Sequence, residues 1–225
     1  MSNLKVMLSA GFKEAYLELL PGFERATGHK VENLWVPSSQ MVSRLKGGEI
    51  VDLVVMSAAS LEELKNAAVV TEYTHLARSG IGVAVKAGAP KPDISSGDAV
   101  KRAVLAAKGI AYSSGPSGLY LIKLFERMGI TGAIAHKVTQ TQGVPSGNVV
   151  ARGEAEIAFQ QVSELLPVPG IDLVGPLPPD IQEITVFAAG LHARAPEPAA
   201  AKALAGHLAT PAAAPVIRKH GMEPA

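Results

Sequence analysis

Cysteine is absent from the 225 residues, which excludes a disulfide scaffold, a cysteine–zinc site and a cysteine nucleophile but leaves the compartment open. Neither sign of charge is in excess, with 21 Lys and Arg against 20 Asp and Glu, and the basic residues do not cluster. A nucleic-acid partner is therefore not expected, because such a partner needs a concentrated basic surface. No apolar run approaches the roughly 20 residues of a membrane span. The start Met1-Ser2-Asn3-Leu4-Lys5 has no basic segment leading into a long apolar stretch. As written, this predicts a cytoplasmic protein, or a periplasmic one whose signal peptide was removed before this numbering begins. Aromatics are scarce at 4%, whereas 48% of residues are hydrophobic, 22 are Gly and 16 are Pro. That balance supports a packed core of short elements joined by tight turns and excludes a disordered chain.

The periodicity alternates between two and three-to-four. Leu4–Leu8 reads as a strand, and Phe12, Ala15, Tyr16, Leu19, Leu20 and Phe23 mark a helix that ends near Gly28 and should kink at Pro21. Strands are expected at Lys30–Val36, Val51–Met56, Ile81–Val85, Gly109–Tyr112, Lys137–Gln140, Glu156–Phe159, Asp172–Val174 and Ile184–Leu191. Helices are expected at Gln40–Lys46, Leu61–Asn66, Asp98–Ala107, Ser117–Met128, Asn148–Arg152, Glu197–Ala209 and Ala212–His220. Ser60 and Glu63 form a candidate capping box before the third helix. Strands alternating with helices predict an α/β fold with mostly parallel sheets. There is no internal repeat and no low-complexity linker.

Four strands run into turns of small hydroxyl and glycine residues that open a helix. They are Ser9-Ala10-Gly11, Pro37-Ser38-Ser39, Ser113-Ser114-Gly115-Pro116-Ser117-Gly118 and Val144-Pro145-Ser146-Gly147-Asn148. Such turns sit at the carboxyl ends of parallel strands, where open sheets bind ligands, and they offer free amides at the positive end of a helix dipole. Any one of them is explained equally well as a helix cap. Four together, two in each half, suit a small polyanion held between two lobes, and a purely structural module would not need them. Gly115–Gly118 lacks the Gly-Lys-Ser/Thr of a nucleotide loop. The six histidines are scattered, so neither a metal nor a cofactor is expected. Asp52 reads as a structural carboxylate bonded to amides. Arg78 is a candidate clamp for a ligand carboxylate, or else half of a salt bridge. Gln160 and Gln161 end an apolar strand with two amides suited to ligand contact.

These same residues carry a likeness. Leu8–Phe12, Phe23–Val31 and Asp52–Met56 resemble the periplasmic molybdate-binding protein superfamily. The resemblance covers essentially the whole chain and implies a type II periplasmic-binding-protein fold, with a ligand cleft between two α/β lobes. It implies a discontinuous lobe of approximately 1–80 plus 187–225 and an inserted lobe of approximately 81–186. Ala77–Ile94 and Ala151–Pro167 are more similar to the aconitate isomerase branch, which interconverts trans- and cis-aconitate on that fold. Carried over by position, the binding residues would include Ser9, Ser38 or Ser39, Ser117 and Ser146. The tyrosine that commonly follows the strand aligned here with Ile157–Phe159 in the molybdate proteins is replaced by Gln160-Gln161, which suits a planar polycarboxylate.

Two functions follow as expectations. An aconitate isomerase needs a base for an allylic proton, a donor to return it and amides for the developing enediolate. The candidate bases are Tyr112, Tyr120, Glu164, Lys46 and His75. The alternative is a binding protein for molybdate or a related oxyanion, delivering it to an ABC permease without catalysis. On either reading the ligand-binding residues are Ser9, Gly11, Ser38, Ser39, Arg78, Ser114, Ser117, Gly118, Ser146, Gly147, Gln160 and Gln161.

Overall fold

The structure, a computed structural model, describes residues 2–225. The chain divides into two compact units: the residues up to Ser79 with Thr185–Ala225, and Gly80–Ile184. The first unit opens with β1 (Asn3–Leu8), α1 (Lys13–Thr27), β2 (Lys30–Trp35), α2 (Ser38–Lys46), β3 (Leu53–Ser57) and α3 (Ala58–Asn66). Strand β4 (Val70–Lys86) leads into the second unit, which holds α4 (Gly97–Ala106), β5 (Ile110–Ser113), α5 (Pro116–Arg127) and α6 (Thr131–Ile134). It continues with β6 (Val138–Thr141), α7 (Ser146–Ala151), β7 (Ile157–Gln161), α8 (Val162–Leu165) and β8 (Ile171–Pro176). The chain then returns as β9 (Ile184–His192), α9 (Pro198–Leu208), α10 (Ala214–Lys219) and β10 (Glu223–Pro224).

Each sheet is parallel about a central strand and antiparallel beside it. In the first unit β1 pairs parallel with both β2 and β3, and β9 runs antiparallel to β3. In the second unit β5 pairs parallel with β6 and β7, while β4 runs antiparallel to β7 and β8. The antiparallel strands need no helical crossover, which is why the strand–helix alternation of the sequence does not announce them.

Side-chain alternation along the strands splits each unit into two cores. Leu4, Val6 and Leu8 of β1 face Phe12, Tyr16, Phe23 and Leu204, whereas Met7 faces Met41, Leu45 and Leu61. In the second unit Ile110, Tyr112, Ile157 and Phe159 pack on Leu121 and Phe125 of α5. The opposite face offers Ala111 and Ala158 to Val149 and Val150 of α7. Helices α5 and α7 therefore cover opposite faces of one sheet.

Helix α1 buries Ala15, Tyr16, Leu20 and Phe23 and ends at Gly28, whose φ of 73° is left-handed. It runs through Pro21 as a single helix. Pro21 lies on the exposed side one turn from Leu17, itself 40% exposed, so water can serve the carbonyl that proline leaves without a donor. The expected Ser60–Glu63 capping box is corrected: β3 runs directly into α3, Ser57 is the cap and its hydroxyl accepts the Ser60 N–H. Glu63 instead pairs with Lys46. Asp52 is the structural carboxylate expected, only 2% exposed, accepting the Lys5 N–H at 2.8 Å and the Glu197 N–H at 2.7 Å.

Candidate functional site

All four hydroxyl-rich turns lie at the carboxyl ends of strands: after β1 and β2 in the first unit, and after β5 and β6 in the second. In the first unit, the Ser9 amide donates to the Val55 carbonyl at 2.9 Å, and its buried hydroxyl reaches the same oxygen at a weaker 3.3 Å. Gly11 follows in a short 3₁₀ turn. A methyl group there would overlap the Phe187 ring, so the glycine is explained by packing before any ligand is invoked. Ser38 and Ser39 open α2 without a side-chain cap on Pro37, with Ser38 half-buried and Ser39 exposed.

In the second unit, the Ser114 N–H donates to the Thr141 carbonyl at 2.8 Å, locking the β5 turn to the end of β6. The Ser113 hydroxyl accepts the Gly115 N–H at 3.3 Å and lies 3.4 Å from the Ser117 hydroxyl. Helix α5 begins at Pro116 and has no side-chain cap, so the Ser117 and Gly118 amides precede its first intrahelical bond. A methyl at Gly118 would overlap the Ser113 carbonyl oxygen, so this glycine lets helix and strand end meet. Gly147 is buried at the start of α7, where a methyl would press on Ile171 at 2.9 Å.

The turn after β6 differs most from what the sequence suggests. Ser146 is fully buried, and both of its donors are engaged inside the protein. Its N–H and hydroxyl both reach Gln160 Oε1, at 2.7 and 2.9 Å, and the hydroxyl also lies 3.1 Å from the Phe159 carbonyl. Gln160, 3% exposed, donates through Nε2 to Glu164 Oε1 at 2.8 Å. Ser146, Gln160 and Glu164 thus form one chain from the start of α7 to the first turn of α8. Gln160 acts here as a connector rather than an open amide. Gln161 is fully buried and is the residue from which α8 starts.

Glu164 is the base candidate with a distinctive environment. Burial pushes its carboxyl up to about 7, against the opposing effect of the Gln160 hydrogen bond. The other candidates sit in ordinary settings. Tyr112 belongs to the α5-side core, and burial raises its hydroxyl further. The Tyr120 hydroxyl donates to the Ile181 carbonyl. Lys46 lies at the far end of α2 from Ser38, paired with Glu63 on the surface, and exposed His75 rests against Tyr73. Arg78 is exposed on β4, opposite Glu223 in register. Glu223 pairs with Arg218, so the salt bridge considered for Arg78 is not made there.

Thr141 had no place in the sequence reading. It is 8% exposed, and its hydroxyl is buried without a hydrogen-bond partner. The available signal was a hydroxyl at the last position of a strand, just ahead of Gln142-Gly143.

This assembly is that of a known class. Residues 4–223 match the bacterial extracellular solute-binding protein family, and the chain belongs to it. Among curated proteins it is similar to an aconitate isomerase from a Pseudomonas species, at 38% identity over 99% of this chain and 88% of that protein. Among solved structures it resembles the periplasmic molybdate-binding protein of Azotobacter vinelandii, with a TM-score of 0.79, 20% identity and coverage of 97% and 98%. It also resembles the sulfate-binding protein SubI of Mycobacterium tuberculosis, with a TM-score of 0.77, 15% identity and coverage of 100% and 87%. At these identities the two structures establish the shared α/β fold.

Proposed function

We propose that the protein is a cofactor-independent isomerase that converts trans-aconitate to cis-aconitate, with Glu164 as its acid–base group. The observation that carries this reading is the chain Ser146–Gln160–Glu164, which ends in a carboxyl whose burial raises it to about 7. A base poised near neutrality removes and returns protons with similar ease. The identity to an aconitate isomerase over nearly the whole chain supports the substrate. Each unit offers donors suited to a carboxylate: Ser9, Gly11, Ser38 and Ser39 in the first, with Arg78 as a further clamp, and Ser114, Ser117 and Gly118 in the second. Ser146 and Gln160 hold the acid–base group in place, with Gly147 and Gln161 next to them in the chain.

The chemistry balances without an external reactant. Glu164 takes a proton from the methylene carbon, and the electron pair spreads through the double bond into the conjugated carboxylate. Amides that bind this developing charge lower the barrier. A proton returned to the former vinyl carbon leaves the double bond one position along, and the count of protons and electrons is unchanged. Purified protein given trans-aconitate in deuterated water should form cis-aconitate carrying deuterium at the reprotonated carbon. Binding of the acid without isomerisation or exchange rejects the reading.

Family membership favours a second function: a carrier that binds a small anion and passes it to an ABC permease. Amides and hydroxyls suffice for that task, and Glu164 has no part in it. The same family supports a periplasmic working place on either reading. Retention of full ligand affinity with zero turnover would identify the carrier.

A further inference from the structure

Lys13 has no role in the site described so far, and the fold holds its charge in an unusual setting. It is the first residue of α1, directly after the Ser9–Gly11 turn and Phe12. Its half-buried side chain sets the ammonium 5.5 Å from the centroid of the Trp35 ring. Trp35 ends β2 in register with Leu8, the residue before Ser9, and the Val36 N–H donates to the Leu8 carbonyl at 3.0 Å. Tyr16, one turn along α1 from Lys13, meets the same ring nearly edge-on, with centroids 6.2 Å apart. Tyr16 is fully buried, and its hydroxyl donates to Asn33 Oδ1 at 2.6 Å, so the ring has a fixed wall behind it. The Lys13 cation is therefore held at the carboxyl ends of β1 and β2, the two strands that run into the Ser9–Gly11 and Pro37–Ser39 turns.

No acidic side chain balances this charge. Among the described residues Lys13 joins no salt bridge, and neither does its neighbour Glu14. Of the α-helices in the described residues, α1 alone has a basic residue in its first turn, the end at which the helix dipole disfavours a cation. The carbon stem shields the indole, but a methionine would do the same, and cation–π attraction is modest at a ring 41% exposed. An anion beside the ammonium offsets the dipole and supplies the missing partner. We propose that Lys13 is a ligand-binding residue, its ammonium pairing with a carboxylate of the substrate at the strand ends of the first unit. The ligand class is an organic polycarboxylate. The ammonium stands over the end of β2 and the Ser9 turn ends β1, and neighbouring strands lie roughly 5 Å apart. Several carboxylates on a carbon frame can engage both places, whereas a single oxyanion engages one. The proposal deepens the isomerase reading, rests on it for the ligand, and gives Lys13 binding rather than proton transfer.

Lys13→Met keeps a stem over the ring and removes the charge, whereas Lys13→Arg keeps the charge. Both should be titrated calorimetrically with trans-aconitate and with molybdate, alongside thermal unfolding of each ligand-free protein. Trp35 is the only tryptophan of the chain, so its emission reports on this corner in the same samples. Lys13→Met should melt close to the wild type and bind trans-aconitate about tenfold more weakly, while Lys13→Arg stays within about threefold. Trans-aconitate should change the Trp35 emission of the wild type. If Lys13→Met does not fold, Lys13→Gln takes its place, with the same loss expected. Unchanged affinity in the charge-free variant, or a Trp35 silent to bound acid, overturns the Lys13 contact alone. A loss for molybdate as large as that for trans-aconitate overturns the polycarboxylate assignment. A wild type that binds trans-aconitate without turnover overturns the isomerase and leaves the contact to be judged by the affinities. A wild type that does not bind the acid overturns both.

Discussion

The two units use the same device, a hydroxyl at a strand end before a helix, and put it to different chemical ends. In the first unit Ser9 terminates on a main-chain carbonyl, and Ser38 and Ser39 form the first turn of α2 after Pro37. In the second, Ser146 is linked through Gln160 to the Glu164 carboxyl. A hydroxyl bonded only to backbone can hold an anion but cannot change its protonation. A hydroxyl wired to a raised carboxyl belongs to a group that can. On the proposed function the proton transfer belongs to the second unit, while the first offers only groups suited to holding a carboxylate.

The sharpest way to break that contrast is Glu164→Gln. It should lower kcat by about a hundredfold to ten-thousandfold with KM within a few-fold, whereas Ser9→Ala should act on KM alone. Steady-state kinetics of the two variants decide it, and equal effects on kcat would erase the division of labour.

Next in size are the glycines. Gly118→Ala meets a backbone oxygen that cannot move aside and should destabilise the protein by about 3 kcal/mol or more. Gly11→Ala meets an aromatic side chain, Phe187, which can shift, and should cost less. Denaturant unfolding of both variants tests whether the second unit has the more rigid strand-end wall. Asp52→Ala, which leaves two backbone amides of the first unit without acceptors, should cost about 2 kcal/mol in the same measurement.

A pH series gives the smaller effect. Native Glu164 keeps its proton up to about 7, whereas in the unfolded chain it releases it near the ordinary 4.5 of a glutamate. Between those limits the native state binds more protons, so wild-type stability should fall as pH rises through that window. Glu164→Gln removes this slope, so its melting temperature should gain on the wild type from pH 5 to about 8. Parallel melting curves for the two proteins would remove Glu164 from the list of enclosed acids.

Most of the element order was legible because the longer strands and helices carry their own period, whereas α6, α8 and β10, of two to four residues, are too short to show one. Leu4, Val6 and Leu8 alternate, and Ala15, Tyr16 and Phe23 recur at helical spacing, both as buried sets. The first half of β4 was not legible, since Val70–Ser79 is largely polar and exposed on a strand that borrows its order from neighbours. The four turns were legible as helix openings, because small hydroxyl residues before a helix announce themselves locally. What each turn does with its donors was not. Whether Ser146 faces a ligand or Gln160 depends on contacts between residues 14 apart in sequence, and nothing local encodes them. Lys13 was missed for the opposite reason: its importance lies in the absence of an ion-pair partner, a property that exists only once the chain has folded.

The unequal way the two units are cut from the chain also bears on how the protein is made. Gly80–Ile184 is continuous, so every residue that unit needs has been synthesised by the time Ile184 is added. The other unit takes β9, α9 and an amide on Asp52 from sequence beyond that point. On a translating ribosome, the middle of the protein can therefore close first, while β1 and β3 wait, apolar and unfinished, for the last part of the polypeptide to emerge. That interval is when the nascent chain has most need of a chaperone.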